Sequence, residues 1–261
     1  MSFKARWFRL FTLTSTFLVW AFIAAGVGTV LVRGVPLLPL AFRLPELVFA
    51  VKLSLLTSSL STLLCLLTAL PVAYALARQS VPGQGFIVSV LRLPLTLPPV
   101  VSGVCLLLLF GTTPLGRALA DLGLKLVFSV PGIIVAQYFV NLPGLITVLQ
   151  AAIEGVDVRM EYVARTLGCS PFQAFCRVTL PLIRNQILAG LILTWGKTLG
   201  EFGAVLMLAG ATRFRTEILP IAIFLNMSTG DMEALMVSAT ILILIAFITL
   251  GAFERLGIKM Y

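Results

Sequence analysis

Six long apolar stretches divide this chain. They occupy roughly residues 10–32, 47–77, 86–110, 130–152, 187–208 and 235–253. About 20 apolar residues suffice for a helix to cross a bilayer, and an open strand cannot satisfy its backbone polar groups in lipid. We therefore expect an all-α, polytopic membrane protein with six transmembrane helices, in which residues 1–261 form one transmembrane domain.

The composition supports a membrane protein and excludes most familiar catalytic sites. Hydrophobic residues make up 59% of the chain and charged residues 11%, far from the balance of a soluble domain. The chain has no histidine, which rules out a Ser-His-Asp triad, a histidine zinc site and a histidine-bound haem. The four cysteines form no C-x-x-C pair, and we interpret them as free thiols. We expect no catalytic residue, metal site or cofactor in this chain.

The basic residues predict the orientation in the membrane. Most lie beside the apolar stretches, so the net charge of +9 indicates topology and not nucleic-acid binding. The first stretch has no small-residue cleavage site after it and is expected to be a retained helix, which places both termini on one side. That side would carry Lys4, Arg6, Arg9, Arg78, Arg159, Arg165, Arg177, Arg184, Arg255 and Lys259. The other side would carry Arg33, Arg43, Lys52, Arg117, Lys125, Arg213 and Arg215. This bias predicts cytoplasmic termini.

Two of the apolar stretches contain residues that allow a helix to bend or break: prolines in the third and glycines, including Gly200 and Gly203, in the fifth. Residues 92–100, RLPLTLPPV, place Pro94, Pro98 and Pro99 in the third stretch. Each proline removes a backbone donor and kinks or unwinds a helix. Such a break survives at membrane depth only where protein or a water-filled cavity surrounds it. It is either a packed kink or the wall of a pathway.

The fifth stretch contains two charged residues in the segment GKTLGEFGAV, residues 196–205. A lone charge in hydrocarbon costs about 2.5–3.5 kcal/mol even on lenient scales. Lys197 and Glu201 are four residues apart, which predicts one helix face and an ion pair. The pair would either fix the fifth helix against its neighbours or act in a pathway or its gate. A direct anion site is disfavoured, because Glu201 would repel an anion and occupy Lys197.

The longest polar segment, residues 154–185, separates the fourth and fifth stretches. Its signals predict a helix from about Val158, a stop at Gly168, and a second helix with Ser170 as N-cap and Pro171 at its first position. Thr179 and Pro181 mark the restart into the fifth stretch.

This segment resembles the EAA loop of importer permeases of the ATP-binding cassette (ABC) class. The resemblance rests on E-x-x-A-x-x-x-G followed by L-P, carried here by Glu161, Ala164, Gly168, Leu180 and Pro181. It implies a coupling helix that docks on a cytoplasmic ATPase, within a type I ABC importer permease fold. The small side chain of Ala164 would let the coupling helix sit deep in a groove of the ATPase, and Gly168 would permit the turn between the two short helices.

Three further segments resemble the molybdate/tungstate branch of these permeases: residues 93–103, 200–223 and 228–239. Sulfate permeases are similar in the same places, so a sulfate or thiosulfate permease stays an alternative. The resemblance implies a prokaryotic plasma-membrane location, a homodimer, two ATPases that bind ATP and Mg, and an external oxyanion-binding protein.

Alternating access in such a permease requires helices that can tilt or bend. The proline-containing third stretch and the glycine-rich fifth stretch are the ones best suited to this movement. We expect the third and fifth stretches to line the pathway, with Pro98, Pro99, Val100, Gly200 and Gly203 near it.

Basic residues in two outer loops suggest a docking surface for the external protein. Arg117, Lys125, Arg213 and Arg215 would offer cations to an acidic patch. The alternative is that they are solvated loop charges.

Two other classes of protein are disfavoured. A membrane-embedded enzyme would need histidine or carboxylate clusters within its spans. A secondary transporter or channel could use Lys197 and Glu201 as an ion relay, but it has no need for a loop shaped for an ATPase.

Overall fold

The computed structural model describes residues 3–41 and 43–255, with side chains described from residue 7 to 41 and from 43 to 251. Lys259 and the side chains of Lys4, Arg6 and Arg255 lie outside this description. Every regular element in the described part of the chain is helical.

Four long helices each cover one apolar stretch. They are α1 (Phe3–Gly34), α3 (Pro45–Arg78), α7 (Val130–Glu154) and α14 (Met232–Arg255). All four are long and apolar enough to cross a membrane. A 3₁₀ turn and the short helix α2 (Leu38–Ala41) connect α1 to α3. These helices confirm the expected first, second, fourth and sixth spans.

The third stretch is two helices and not one kinked helix. Helix α4 (Gln84–Thr96) and helix α5 (Pro99–Thr112) meet at an angle of 115°. Pro98 has extended backbone angles, because a residue before proline is pushed out of the helical region. Pro94 lies inside α4, so the break falls at the Pro98-Pro99 pair.

The fifth stretch is also divided, contrary to the expectation of one helix. Helix α11 (Arg184–Leu199) stops before Gly200, and helix α12 (Gly203–Ala209) begins three residues later. The remaining helices are α6 (Pro114–Asp121), α8 (Val158–Thr166), α9 (Pro171–Ala174), α10 (Leu180–Leu182) and α13 (Leu219–Thr229). Helix α13 is apolar but too short to cross a membrane.

Helices α3 and α7 form the centre of the bundle, with α11 and α12 packed on them. The inward face of α3 carries small polar residues, among them Ser54, Thr57, Ser58 and Ser61, which are fully buried. Small side chains let helix backbones approach closely in a membrane. Helix α12 packs against α5 and α7 through Ala204, Val205 and Leu208. This packing brings the broken third and fifth stretches together.

Candidate coupling site and translocation surface

The loop between α7 and α11 folds as the local signals predict. Asp157 caps α8, Gly168 turns the chain with a φ of 91°, and Ser170 caps α9 in a capping box with Gln173. One difference lies at the end of the loop. Helix α9 continues through a π-helical turn (Phe175–Thr179) into α10, so Thr179 and Pro181 lie within a helical segment. The bend of 71° into α11 comes after Leu182.

Glu161 is the centre of a buried hydrogen-bond network beneath this loop. Its carboxylate accepts hydrogen bonds from Thr179 Oγ1 at 2.7 Å, Tyr74 Oη at 2.9 Å and Arg78 Nε at 3.0 Å. Burial by itself would raise the pKa of Glu161. The hydrogen bonds from Thr179, Arg78 and Tyr74, together with the positive charge of Arg78, hold the pKa below its ordinary value. The carboxylate is therefore ionised at neutral pH.

Arg78 extends the network from Glu161 to the end of the fourth span. Its Nη2 donates to the carbonyl of Ile153 at 2.8 Å and to the carbonyl of Val156 at 2.6 Å. These carbonyls lie at the C-terminal end of α7 and just beyond it, where backbone acceptors lack helical partners. One arginine thus ties α3, α7 and α8 together. The loop is therefore linked directly to the C-terminal ends of α3 and α7.

The other predicted coupling residues occupy distinct places. Ala164 is buried on the inner face of α8, beside the exposed Gly168 turn. Leu180 is partly buried and Pro181 is exposed. The outward face of the loop carries large apolar side chains, including Leu167 and Phe172, which are 81% and 73% exposed. This outward face, and not Glu161, is available to a partner.

The break in the fifth stretch satisfies its backbone with buried side chains. Gln137 Nε2, from α7, donates to the carbonyl of Thr198 at 3.1 Å. Glu201 Oε1 accepts from the backbone N–H of Ala204 at 3.1 Å and so caps α12. These two contacts replace helical hydrogen bonds lost at the break.

The expected ion pair between Lys197 and Glu201 is wrong. Because α11 ends at Leu199, the two residues do not share a helix face. Glu201 is buried and turned toward α12, whereas Lys197 is exposed. Among the described side chains, Lys197 forms no ion pair.

The two broken stretches contact each other at glycine. A Cβ atom on Gly203 would lie 3.0 Å from Pro99 Cβ and 3.0 Å from the backbone nitrogen of Val100. A Cβ atom on Gly103 would lie 2.7 Å from Met207 Cβ and 2.8 Å from the Cα of Ala204. Only glycine permits this approach of α5 and α12.

One face of this contact is open. Pro98, Pro99, Val100 and Gly200 are exposed, and we call these four residues the break surface. Gly203 lies buried beneath it. The structure therefore brings Gly203 against Pro99 and Val100, and it leaves Pro98, Pro99, Val100 and Gly200 exposed.

The sequence profile of the family described as "Binding-protein-dependent transport system inner membrane component" matches residues 69–255. This range includes the C-terminal end of α3, the loop between α7 and α11, and both breaks. The chain belongs to this family of ABC transporter permeases.

Relatives and a solved structure agree with this assignment. The permease is 37% identical over 252 residues to the molybdenum transport system permease protein ModB of Mycobacterium tuberculosis, covering 90% of this chain and 94% of the relative. It is 37% identical over 202 residues to the sulfate transport system permease protein CysW of Synechocystis sp., covering 77% and 73%. Its fold matches a chain of a bacterial alginate ABC transporter in complex with an alginate pentasaccharide-bound periplasmic protein. The TM-score is 0.77 at 18% identity, over 97% of this chain and 95% of that one.

The loop of the permease between α12 and α13 contains Arg213, which is held by contacts within the chain. Arg213 Nη2 donates to Asn226 Oδ1 at 2.9 Å, and Nη1 lies 3.6 Å from Glu217 and 3.9 Å from Glu46. Burial raises the pKa of Glu217, while the N–H of Phe214 and the charge of Arg213 oppose that rise. The charge of Arg213 is thus balanced by two carboxylates. Arg117, Lys125 and Arg215 are exposed.

Sequence reasoning missed three residues of the coupling site: Tyr74, Arg78 and Thr179. Arg78 was visible only as one of the cationic residues near a span end, because it lies 83 positions from Glu161. A buried carboxylate requires a cation, and that requirement was the one available signal.

Proposed function

We propose that this chain is the permease subunit of an ATP-driven importer of molybdate or tungstate. Two copies would form the pathway, two cytoplasmic ATPases that bind ATP and Mg would drive it, and an external binding protein would deliver the oxyanion. The substrate assignment is supported by the molybdenum permease relative, which matches nearly the whole chain. The location would be a prokaryotic plasma membrane, with both termini in the cytoplasm.

The observation that carries the proposal is the construction of the coupling loop. Its outward face exposes apolar side chains, Leu167 and Phe172 among them, and large exposed apolar groups outside the membrane indicate a protein partner. Its inward face is tied to α3 and α7 through Glu161 and Arg78. A partner bound outside would therefore transmit force to the spans. This is the arrangement that coupling to an ATPase requires.

The break surface supports a pathway between two copies. Proline and glycine leave backbone groups without helical partners, which at membrane depth requires a protein or aqueous lining. The exposure of Pro98, Pro99, Val100 and Gly200 in one subunit supports such a lining at the subunit surface. A second copy facing this surface would enclose a pathway.

Reconstituted vesicles test the proposal directly. Vesicles that contain the permease, its ATPase and its binding protein should take up radiolabelled molybdate or tungstate only when ATP is supplied. Excess sulfate should compete weakly. Uptake of sulfate in preference to molybdate would assign the permease to the sulfate class, and uptake without ATP would indicate a secondary transporter.

The exposed outer cations provide a second prediction. Charge reversal at Arg215 together with Arg117 should slow delivery by the binding protein about three- to tenfold at low salt, because electrostatic steering is lost. The effect should shrink at high salt. Arg213→Glu should instead disturb the outer loop at every salt concentration, because Arg213 balances Glu46 and Glu217.

Uptake rates measured across a salt series separate these effects. If the Arg215 and Arg117 variant shows the same salt dependence as the unmodified permease, these residues are solvated loop charges and not a docking surface.

A further inference from the structure

Lys197 is an exposed cation near the middle of a membrane span. The fifth span runs from Arg184 to Ala209 with its break at residues 200–202. Lys197 lies one turn before that break, and its side chain is exposed. The nearest carboxylate in sequence, Glu201, is buried and occupied by the N–H of Ala204.

A lone ammonium at this depth needs a polar environment. Lys197 lies about 20 Å along α11 from Arg184, at 1.5 Å per residue. The same number of residues separates it from Gly210 at the other end of the span. A side chain with a four-carbon stem does not reach a membrane surface over that distance. The position therefore favours an aqueous pathway over lipid.

Lys197 also lies beside the break surface. It lies in the last turn of α11, three residues before Gly200, the residue at which the helix ends. Gly200 is part of the break surface, and Gly203 contacts Pro99 and Val100 just beyond it. On its other flank, Lys197 borders a cavity of about 300 Å³ between α11 and α14, lined also by Gly196 and Thr249. Its other lining residues are Ile192, Leu193, Ala246 and Leu250, so Lys197 supplies the one charged group of this cavity.

We propose that the Lys197 ammonium is a transient binding site for the transported tetrahedral oxyanion. The inference rests on the proposed function and names a residue that would contact the transported anion. Sequence reasoning disfavoured such a contact because Glu201 would neutralise Lys197. The structure removes that objection, because Glu201 caps α12 instead.

A single lysine side chain is suited to brief contact with a passing anion and not to tight binding. An ammonium offers three donors and one charge, enough to draw a dianion past the break. A single strongly hydrated point charge holds an anion weakly, and conduction requires a site that the anion can leave. High affinity would reside in the external binding protein.

The test uses charge replacement in the assembled transporter. Lys197→Gln should lower oxyanion uptake in reconstituted vesicles by about tenfold or more, the range expected for a lost hydrogen bond to a charged group. Stimulation of ATP hydrolysis by the binding protein should persist. Lys197→Arg should retain most uptake. Lys52→Gln, which removes an exposed lysine of α3 away from the break surface, is the matched control and should behave as the unmodified protein.

Chemical rescue separates a charge contact from a structural role. In a background that lacks the four native cysteines and still transports, Lys197→Cys should lose uptake. Modification with an aminoethyl thiosulfonate, which restores an ammonium, should recover uptake, and a sulfonatoethyl reagent should not. Molybdate or tungstate should slow the labelling reaction.

Three outcomes would overturn the inference while leaving the proposed function intact. They are normal uptake by Lys197→Gln, equal rescue by both reagents, and labelling that is slowed by anionic lipid but not by molybdate or tungstate. The last would mean that Lys197 binds lipid phosphate. If the unmodified transporter carries no oxyanion, the proposed function fails, and the inference fails with it.

Discussion

Glu161→Lys is expected to abolish ATP-driven uptake. The substitution places an ammonium against Arg78 and leaves that guanidinium without its carboxylate, in a site where Glu161 is buried and the Arg78 side chain is only 11% exposed. Removal of one partner from a buried ion pair typically costs about 3–5 kcal/mol. This destabilisation should be confined to the coupling loop and its attachment, because Thr179, Tyr74 and Arg78 all donate hydrogen bonds to the same carboxylate. The spans should stay folded, since their packing lies elsewhere.

Two measurements check this expectation: uptake into vesicles, and stimulation of ATP hydrolysis by the binding protein. Both should be lost in Glu161→Lys and reduced less in Glu161→Gln, which keeps the shape of the side chain. Glu154→Lys is the matched control, because Glu154 is an exposed carboxylate at the start of the same loop. Coupling that survives in Glu161→Lys as well as in Glu154→Lys would show that the network is not needed.

The pH dependence of this site has a defined sign. The pKa of Glu161 is lower in the folded protein than its ordinary value. A carboxylate with a lowered pKa stabilises the folded protein at pH values above the pKa that it has in the unfolded chain. That stabilisation is lost as the pH falls through the pKa that it has in the folded protein. Coupling should therefore be insensitive to Glu161 titration at neutral and mildly acidic pH.

Gly103→Val is expected to separate α5 from α12 and to stop transport. Even the Cβ of alanine at this position would lie 2.8 Å from both the Cα and the carbonyl oxygen of Ala204. Backbone atoms cannot move aside as a flexible side chain can, so the two helices must shift. Overpacking of this kind typically costs about 1–3 kcal/mol. Gly203→Ala should have a smaller effect, because its Cβ would lie 3.0 Å from Pro99 Cβ and from the nitrogen of Val100.

Thermal unfolding in detergent and uptake into vesicles measure this effect. Gly111→Ala is the control on the same helix, because its Cβ would meet only a side-chain atom of Val127 at 3.9 Å. Gly103→Ala should unfold at a lower temperature than Gly111→Ala. Equal unfolding temperatures and equal uptake would contradict a tight contact between the third and fifth spans.

Much of the fold could be predicted from the sequence, because the signals are local. The number of spans follows from runs of about 20 apolar residues, since lipid excludes unpaired backbone groups. The break at Pro98 and Pro99 follows from the missing donors of proline. The Ser170 cap and the turn at Gly168 follow from preferences of single residues.

The breaks also explain where local reasoning failed. A spacing of four residues places Lys197 and Glu201 on one face only if the helix is continuous, and α11 ends at Leu199. Because the helix is interrupted, the two residues form no ion pair: Glu201 is a buried cap of α12, and Lys197 is an exposed cation. The same limit applies to Arg213. The sequence suggested a cation available for docking, but Arg213 lies between Glu46 and Glu217.

The sequence alone determined which segments are apolar enough to enter the membrane, where the third of them breaks, and where the loop between the fourth and fifth stretches turns. Those properties depend on burial and on backbone chemistry within a few residues. Only the tertiary structure decided that Arg78 meets Glu161 and that Gly103 admits the backbone of Ala204. Those contacts join residues from different helices, and their energies depend on packing geometry that no local pattern encodes.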